Sequence, residues 1–98
     1  MARLQVVLKE VNSMKSFTHV IADPAGLHAR PAGMLAKEAV GYKSAITLTA
    51  PGGTADAKRL MAIMRLAAKQ GMELTVTCSG EDEDAAAEGL EKFLKENL

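Results

Sequence analysis

Met72-Glu73-Leu74-Thr75-Val76-Thr77-Cys78 alternates without a break. In an extended chain Met72, Leu74, Val76 and Cys78 fall on one side and Glu73, Thr75 and Thr77 on the other. Such a strand has one face for a core and one for water. Working towards the N-terminus, Ser44–Ala50 repeats the pattern, with Ile46 and Leu48 opposed to Thr47 and Thr49. Pro51-Gly52-Gly53 then turns the chain into a short extended piece near Thr54–Ala55. A further strand over Phe17–Ala22 is ended by the turn-forming Asp23-Pro24-Ala25-Gly26.

Between these strands the apolar period changes to that of helices. Ala32, Leu35, Ala36, Ala39 and Val40 make one stripe of a helix over Ala29–Val40, with Gly41 as its stop. A methionine-rich helix is predicted over Lys58–Lys69, stopped by Gly71. The last runs from Glu81 to Glu96 and buries Ala86, Leu90, Phe93 and Leu94. Ser79 stands three residues before Asp82, the spacing of a capping box with Asp in place of Glu or Gln. The order is β-α-β-β-α-β-α. Helices of this length need a sheet to cover, which predicts an α+β domain with one sheet face packed on helices and the other open. Met1–Ser13 is the one appendage: Leu4, Val7, Leu8 and Val11 have helical spacing, while Gln5–Leu8 also suits a strand. Met14 offers an alternative start, so the domain proper is taken as residues 14–98 and residues 1–13 as an extension of uncertain status.

Ninety-eight residues make one small domain, with little room for a deep cleft or a cofactor fold. That favours action on other macromolecules. Twelve basic and twelve acidic residues cancel, so bulk attraction to nucleic acid or membrane is not expected. The charge is nevertheless segregated: residues 1–80 carry net +5 and residues 81–98 net −5. An acidic helix start complementing its own dipole accounts for this, as does a basic working face elsewhere. Cys78, the single cysteine, excludes an intrachain disulfide and reads as a buried small hydrophobe. His19 and His28 alone supply no zinc-site spacing, and no metal or cofactor is expected. No apolar stretch reaches the length of a membrane span, and the N-terminus lacks the apolar core of a signal peptide. Cytoplasmic residence is the default.

The chemistry is concentrated in Gly26-Leu27-His28-Ala29-Arg30-Pro31-Ala32-Gly33. A turn glycine precedes a histidine, and a helix begins directly after it. Pro31 fits the first helical turn, where its missing N–H costs nothing. The free amides and the positive dipole end of that turn, which includes Ala29, therefore lie beside His28. Arg30 adds a permanent charge with forked donors suited to phosphate, and Gly33 adds no bulk. Positive surroundings suit a neutral, nucleophilic imidazole and also stabilise an anion attached to it. The spacing therefore points to phosphate chemistry on His28. His19, in a strand and without a charged neighbour, reads as structural.

Gly26-Leu27-His28-Ala29-Arg30-Pro31-Ala32 resembles the active-site signature of the histidine-containing phosphocarrier (HPr) family of the bacterial sugar phosphotransferase system. The resemblance covers about Met14–Leu98, with the same element order. It implies an open-faced β-sandwich, a four-stranded antiparallel sheet covered on one face by three helices. It also implies phosphorylation of His28 on Nδ1 by enzyme I, which draws on phosphoenolpyruvate, and transfer to enzyme IIA proteins. Ala57–Met64 resembles the family's partner-docking helix, with Lys58, Leu60, Met61 and Met64, together with Gly33, as contact residues. Many members carry a regulatory serine where this chain has Arg59, so the branch that depends on a kinase for that serine is in doubt. Met61 and Met64, three apart, share a helix face and are read as an exposed adaptable patch, with Leu60, Ile63 and Ala67 offering the core another face.

A carrier of this kind is expected to act as a monomer without a stand-alone catalytic cycle. The alternative is an HPr-like regulatory module, or a nitrogen-branch carrier, acting by docking to partner proteins. A nucleic-acid-binding βαβ-type domain ranks low, because it would need aromatics stacked on the sheet and the chain has only Phe17, Tyr42 and Phe93.

Overall fold

The computed structural model describes residues 14–98, so the reading of Met1–Ser13 lies outside the described residues. The order is β1 (Lys15–Val20), α1 (Ala29–Val40), β2 (Ala45–Ala50), β3 (Gly53–Asp56), α2 (Leu60–Arg65), β4 (Glu73–Ser79) and α3 (Glu83–Asn97). The four strands form one sheet in the order β1-β4-β2-β3, every neighbouring pair antiparallel. Because β4 lies between β1 and β2, those two run parallel to each other with α1 as their crossover. The expected α+β open-faced sandwich is therefore the observed architecture.

Register explains the two faces. Leu48 pairs with Val76 and Ile46 with Cys78, and all four are buried beneath the helices. On the opposite face Thr18, Thr75, Thr49 and Thr54 stand in one cross-strand row, with Ser16, Thr77, Thr47 and Asp56 in the next. The open face is thus a field of hydroxyls, and Phe17 lies on the other side, across from Val76 and packed on the core. No aromatic residue stands on the open face among the described residues, which removes the platform that a nucleic-acid reader needs.

Helix α1 buries Pro31, Ala32, Leu35, Ala36 and Ala39, whereas Val40 is exposed. At 100° per residue Val40 lies about 80° from Ala32, beyond the edge of the stripe, so the expected burial is corrected. In α3 Ala86, Leu90 and Leu94 are fully buried and Phe93 only partly. Cys78 is buried and free, and burial pushes its thiol pKa up.

Two terminal readings change. Helix α2 covers six residues rather than the predicted twelve. The chain leaves the helix at Ala67, whose φ is +49°, and Ala68 is buried with its carbonyl accepting the Leu27 amide at 2.9 Å. A helix continued to Lys69 would need Ala67 in the right-handed region, so the positive φ there ends it. Ser79 does not cap α3 either. Asp82 is the N-cap residue, and Glu83 reaches back to the Gly80 amide at 2.9 Å, so the reciprocal bond starts one residue later than predicted.

Candidate functional site

Everything at the start of α1 depends on how the β1–α1 loop is held. Leu27 donates its amide to Ala68 and is buried, which pins the loop to the segment after α2. Gly26 has φ +69°, and a Cβ there would stand 2.6 Å from the Ala68 carbonyl oxygen. Only glycine meets both demands.

His28 follows as the N-cap residue of α1, with extended backbone and no capping bond from its side chain. Its carbonyl accepts the Ala32 amide at 3.0 Å. The amides of Ala29 and Arg30 precede the first intrahelical donor and have no helical partner, while Pro31 has no N–H to satisfy. The imidazole is 43% exposed, open to an incoming group yet supported on one side. Arg30 is exposed and makes no ion pair among the described residues, so its charge is free.

His28, Arg30, Pro31, Met34, Asp23 and Asn97 line one shallow cavity of about 230 Å³. Three of these residues were not singled out from sequence. Asp23 reads there only as a turn former; its Oδ1 indeed accepts the Ala25 amide at 2.8 Å, but its Oδ2 lies 3.9 Å from His28 Nε2. Asn97 comes from the far end of α3, where its Nδ2 donates to the Phe93 carbonyl. Met34 is one turn beyond Arg30 and exposed. A seven-residue motif carries no signal for any of the three.

This arrangement suits an anion brought to an exposed imidazole. The family-scale comparison agrees: the model of the PTS HPr component phosphorylation site matches residues 15–96. The chain belongs to the HPr family. The phosphocarrier protein HPr of Mycoplasma capricolum is 40% identical over 81 residues, 83% of this chain and 91% of its own length. The solved structure of a Mycoplasma histidine-containing phosphocarrier protein superposes with TM-score 0.81 at 38% identity, covering 84% of this chain and 93% of the other. Crh, the catabolite repression HPr relative of Bacillus subtilis solved as a swapped dimer, matches with TM-score 0.67 at 37% identity over 78% of this chain and 87% of its own. HPr membership supports a phosphocarrier role in the phosphotransferase system.

The docking candidates divide on inspection. Met61 is 64% exposed, Leu60 40% and Met64 39%, whereas Ile63 between them is fully buried. Helix α2 packs against α1, the helix that carries Met34. Lys58 is partly buried, and its Nζ donates to the Tyr42 carbonyl at 2.8 Å. A Cβ added at Gly33 would meet nothing within 4 Å, so the surface above it is clear. Arg59 is the exposed N-cap residue of α2. Among the described residues no helix is long and apolar enough to cross a membrane.

Proposed function

We propose that His28 accepts a phosphoryl group on Nδ1 from phosphorylated enzyme I and passes it to enzyme IIA proteins. The observation that carries this reading is the exposed imidazole at the N-cap of α1, with the Arg30 charge, which makes no ion pair among the described residues, and the first-turn amides beside it. Nδ1 attacks the phosphorus while the bond to the donor nitrogen breaks, its electron pair staying with the donor. The three equatorial oxygens carry the developing charge, and the Ala29 and Arg30 amides with the Arg30 guanidinium are the groups available to stabilise it. Donation to an acceptor reverses these roles. Met61, Met64 and Leu60 with the Gly33 surface make the apolar ring that seats each partner, and Lys58 contributes through the backbone it braces. The site needs no metal or cofactor of its own, and a small carrier that works between soluble partners fits the cytoplasm.

Incubation with phosphoenolpyruvate and a general enzyme I tests the reading. Acid-labile phosphate should map to His28 and vanish in His28→Ala. Label that survives in that variant, or label on His19, refutes the assignment. A docking module of the catabolite-repression kind is the second reading, suggested by the likeness to Crh. It would bind partners while taking up no label, although retention of His28 speaks against it.

A further inference from the structure

Asp23 sits where the phosphoryl chemistry described above gives it nothing to do. Its carboxylate lies within ion-pair distance of Nε2 of His28, the ring nitrogen that the proposed transfer does not use. Its carboxylate is not loose: Oδ1 is held by the Ala25 amide at 2.8 Å, which aims Oδ2 at Nε2 of His28, 3.9 Å away. That separation is an ion-pair distance rather than a hydrogen bond, and the two side chains are 31% and 43% exposed. The groups that share the cavity with the ring are Arg30 from α1, the uncharged Asn97 from α3 and Asp23 from the loop. Asp23 is therefore the only acidic side chain lining it among the described residues.

We infer that Asp23 is a positioning residue that keeps the ring proton of His28 on Nε2, committing Nδ1 to phosphoryl exchange. This rests on His28 being the acceptor. A neutral imidazole carries one proton, and a carboxylate facing one nitrogen stabilises the tautomer that has the proton there. Nδ1 then holds the free electron pair. When Nδ1 forms its bond to phosphorus, the ring becomes cationic with the proton still on Nε2, between Asp23 on one side and the phosphoryl anion on the other. When that bond breaks, its electron pair returns to Nδ1 and a neutral imidazole leaves. No proton has to move in either direction, which a carrier that both accepts and donates can exploit.

The substitutions Asp23→Asn and Asp23→Ala separate charge from turn. Asn keeps an oxygen for the Ala25 amide and loses the negative charge; Ala loses both. Two-bond ¹H–¹⁵N spectra of the unphosphorylated protein at a pH where the ring is neutral report the ratio of the two tautomers directly. In both variants the ratio favouring the Nε2 proton should fall about 3-fold, the scale of a partly exposed pair. Discharge of phosphorylated Asp23→Asn to an enzyme IIA protein should slow by a similar factor, with the melting temperature unchanged. An unchanged tautomer ratio in Asp23→Asn overturns the inference, and so does a change confined to Asp23→Ala, since Asp23 would then serve only the turn. The tautomer measurement involves no phosphate, so it can fail while His28 labels normally, or hold while His28 does not label.

Discussion

Gly26 and Arg30 lie four residues apart and answer to different constraints. At Gly26 the positive φ and the 2.6 Å approach to Ala68 leave no space for a methyl group. Gly26→Ala should cost at least ~2 kcal/mol through backbone strain and displacement of the Leu27–Ala68 bond. A thermal melt should register a fall of at least ~8 °C. Arg30 has no hydrogen-bond or ion-pair partner among the described residues, so Arg30→Ala should leave the melting temperature within ~4 °C, as surface substitutions do. Transfer from enzyme I should nevertheless slow at least ~10-fold, because a permanent charge beside the developing anion is lost. A stopped assay of phosphate on His28 measures the second effect, and a normal rate would mean that the helix start suffices without the guanidinium.

The short helix α2 presents the clearest contrast between packing and exposure. Ile63 is fully buried while Met61 is 64% exposed. Met61→Asp should therefore leave folding intact but weaken transfer from enzyme I at least ~10-fold, since a partner's apolar surface would have to desolvate the carboxylate. Ile63→Asp should unfold the domain. Equal melting temperatures for Met61→Asp and the unsubstituted protein, with impaired transfer, are the expected pair of results; a collapse of folding in Met61→Asp would put that side chain in the core instead. At the start of the same helix, Arg59 occupies the N-cap with no side-chain capping bond. Arg59→Ser supplies a hydroxyl at a position that favours one, so it should raise stability by ~1 kcal/mol in a denaturant titration. It should also restore a substrate for the kinase that modifies the family's regulatory serine, whereas the native chain should take up no phosphate over Lys58–Met64.

Across the molecule, α3 is tied to the beginning of β2 through one carboxylate. Asp82 accepts the Lys43 and Ser44 amides at 2.8 and 2.9 Å and the Ser44 hydroxyl at 2.5 Å. The Ser44 hydroxyl first, then the Lys43 amide, hold its carboxyl down to about 2 from an ordinary 3.8. A carboxyl with a lowered folded pKa adds stability above its unfolded value and loses it as pH falls through the folded one. The stabilisation from Asp82 should accordingly be complete above about pH 4 and disappear towards pH 2. Melting temperatures of the native chain and of Asp82→Ala, measured at pH 7, 4 and 2, should differ most at pH 7 and converge at pH 2. A constant difference across that range would assign the effect of Asp82 to packing rather than charge.

Alternation in Met72–Cys78 and Ser44–Ala50 was enough to predict a sheet with one wet face, because period two and burial are both local properties of a strand. The same holds for the stripe of α1 apart from Val40, and for the place of His28, since a turn, a histidine and a helix start are consecutive in the chain. What tertiary structure alone decided depends on residues far apart. Helix α2 stops early because Ala67 takes a positive φ, and the chain beyond it offers the Ala68 carbonyl to the distant Leu27 amide. The carboxylate of Asp82 is claimed by Ser44, and so the predicted cap at Ser79 yields to a later start. Asp23 and Asn97 acquire a place beside His28 only when the loop after β1 and the end of α3 are brought together. Periodicity records which side of an element faces the core; it does not record which backbone or side-chain group across the fold will compete for a given donor or acceptor.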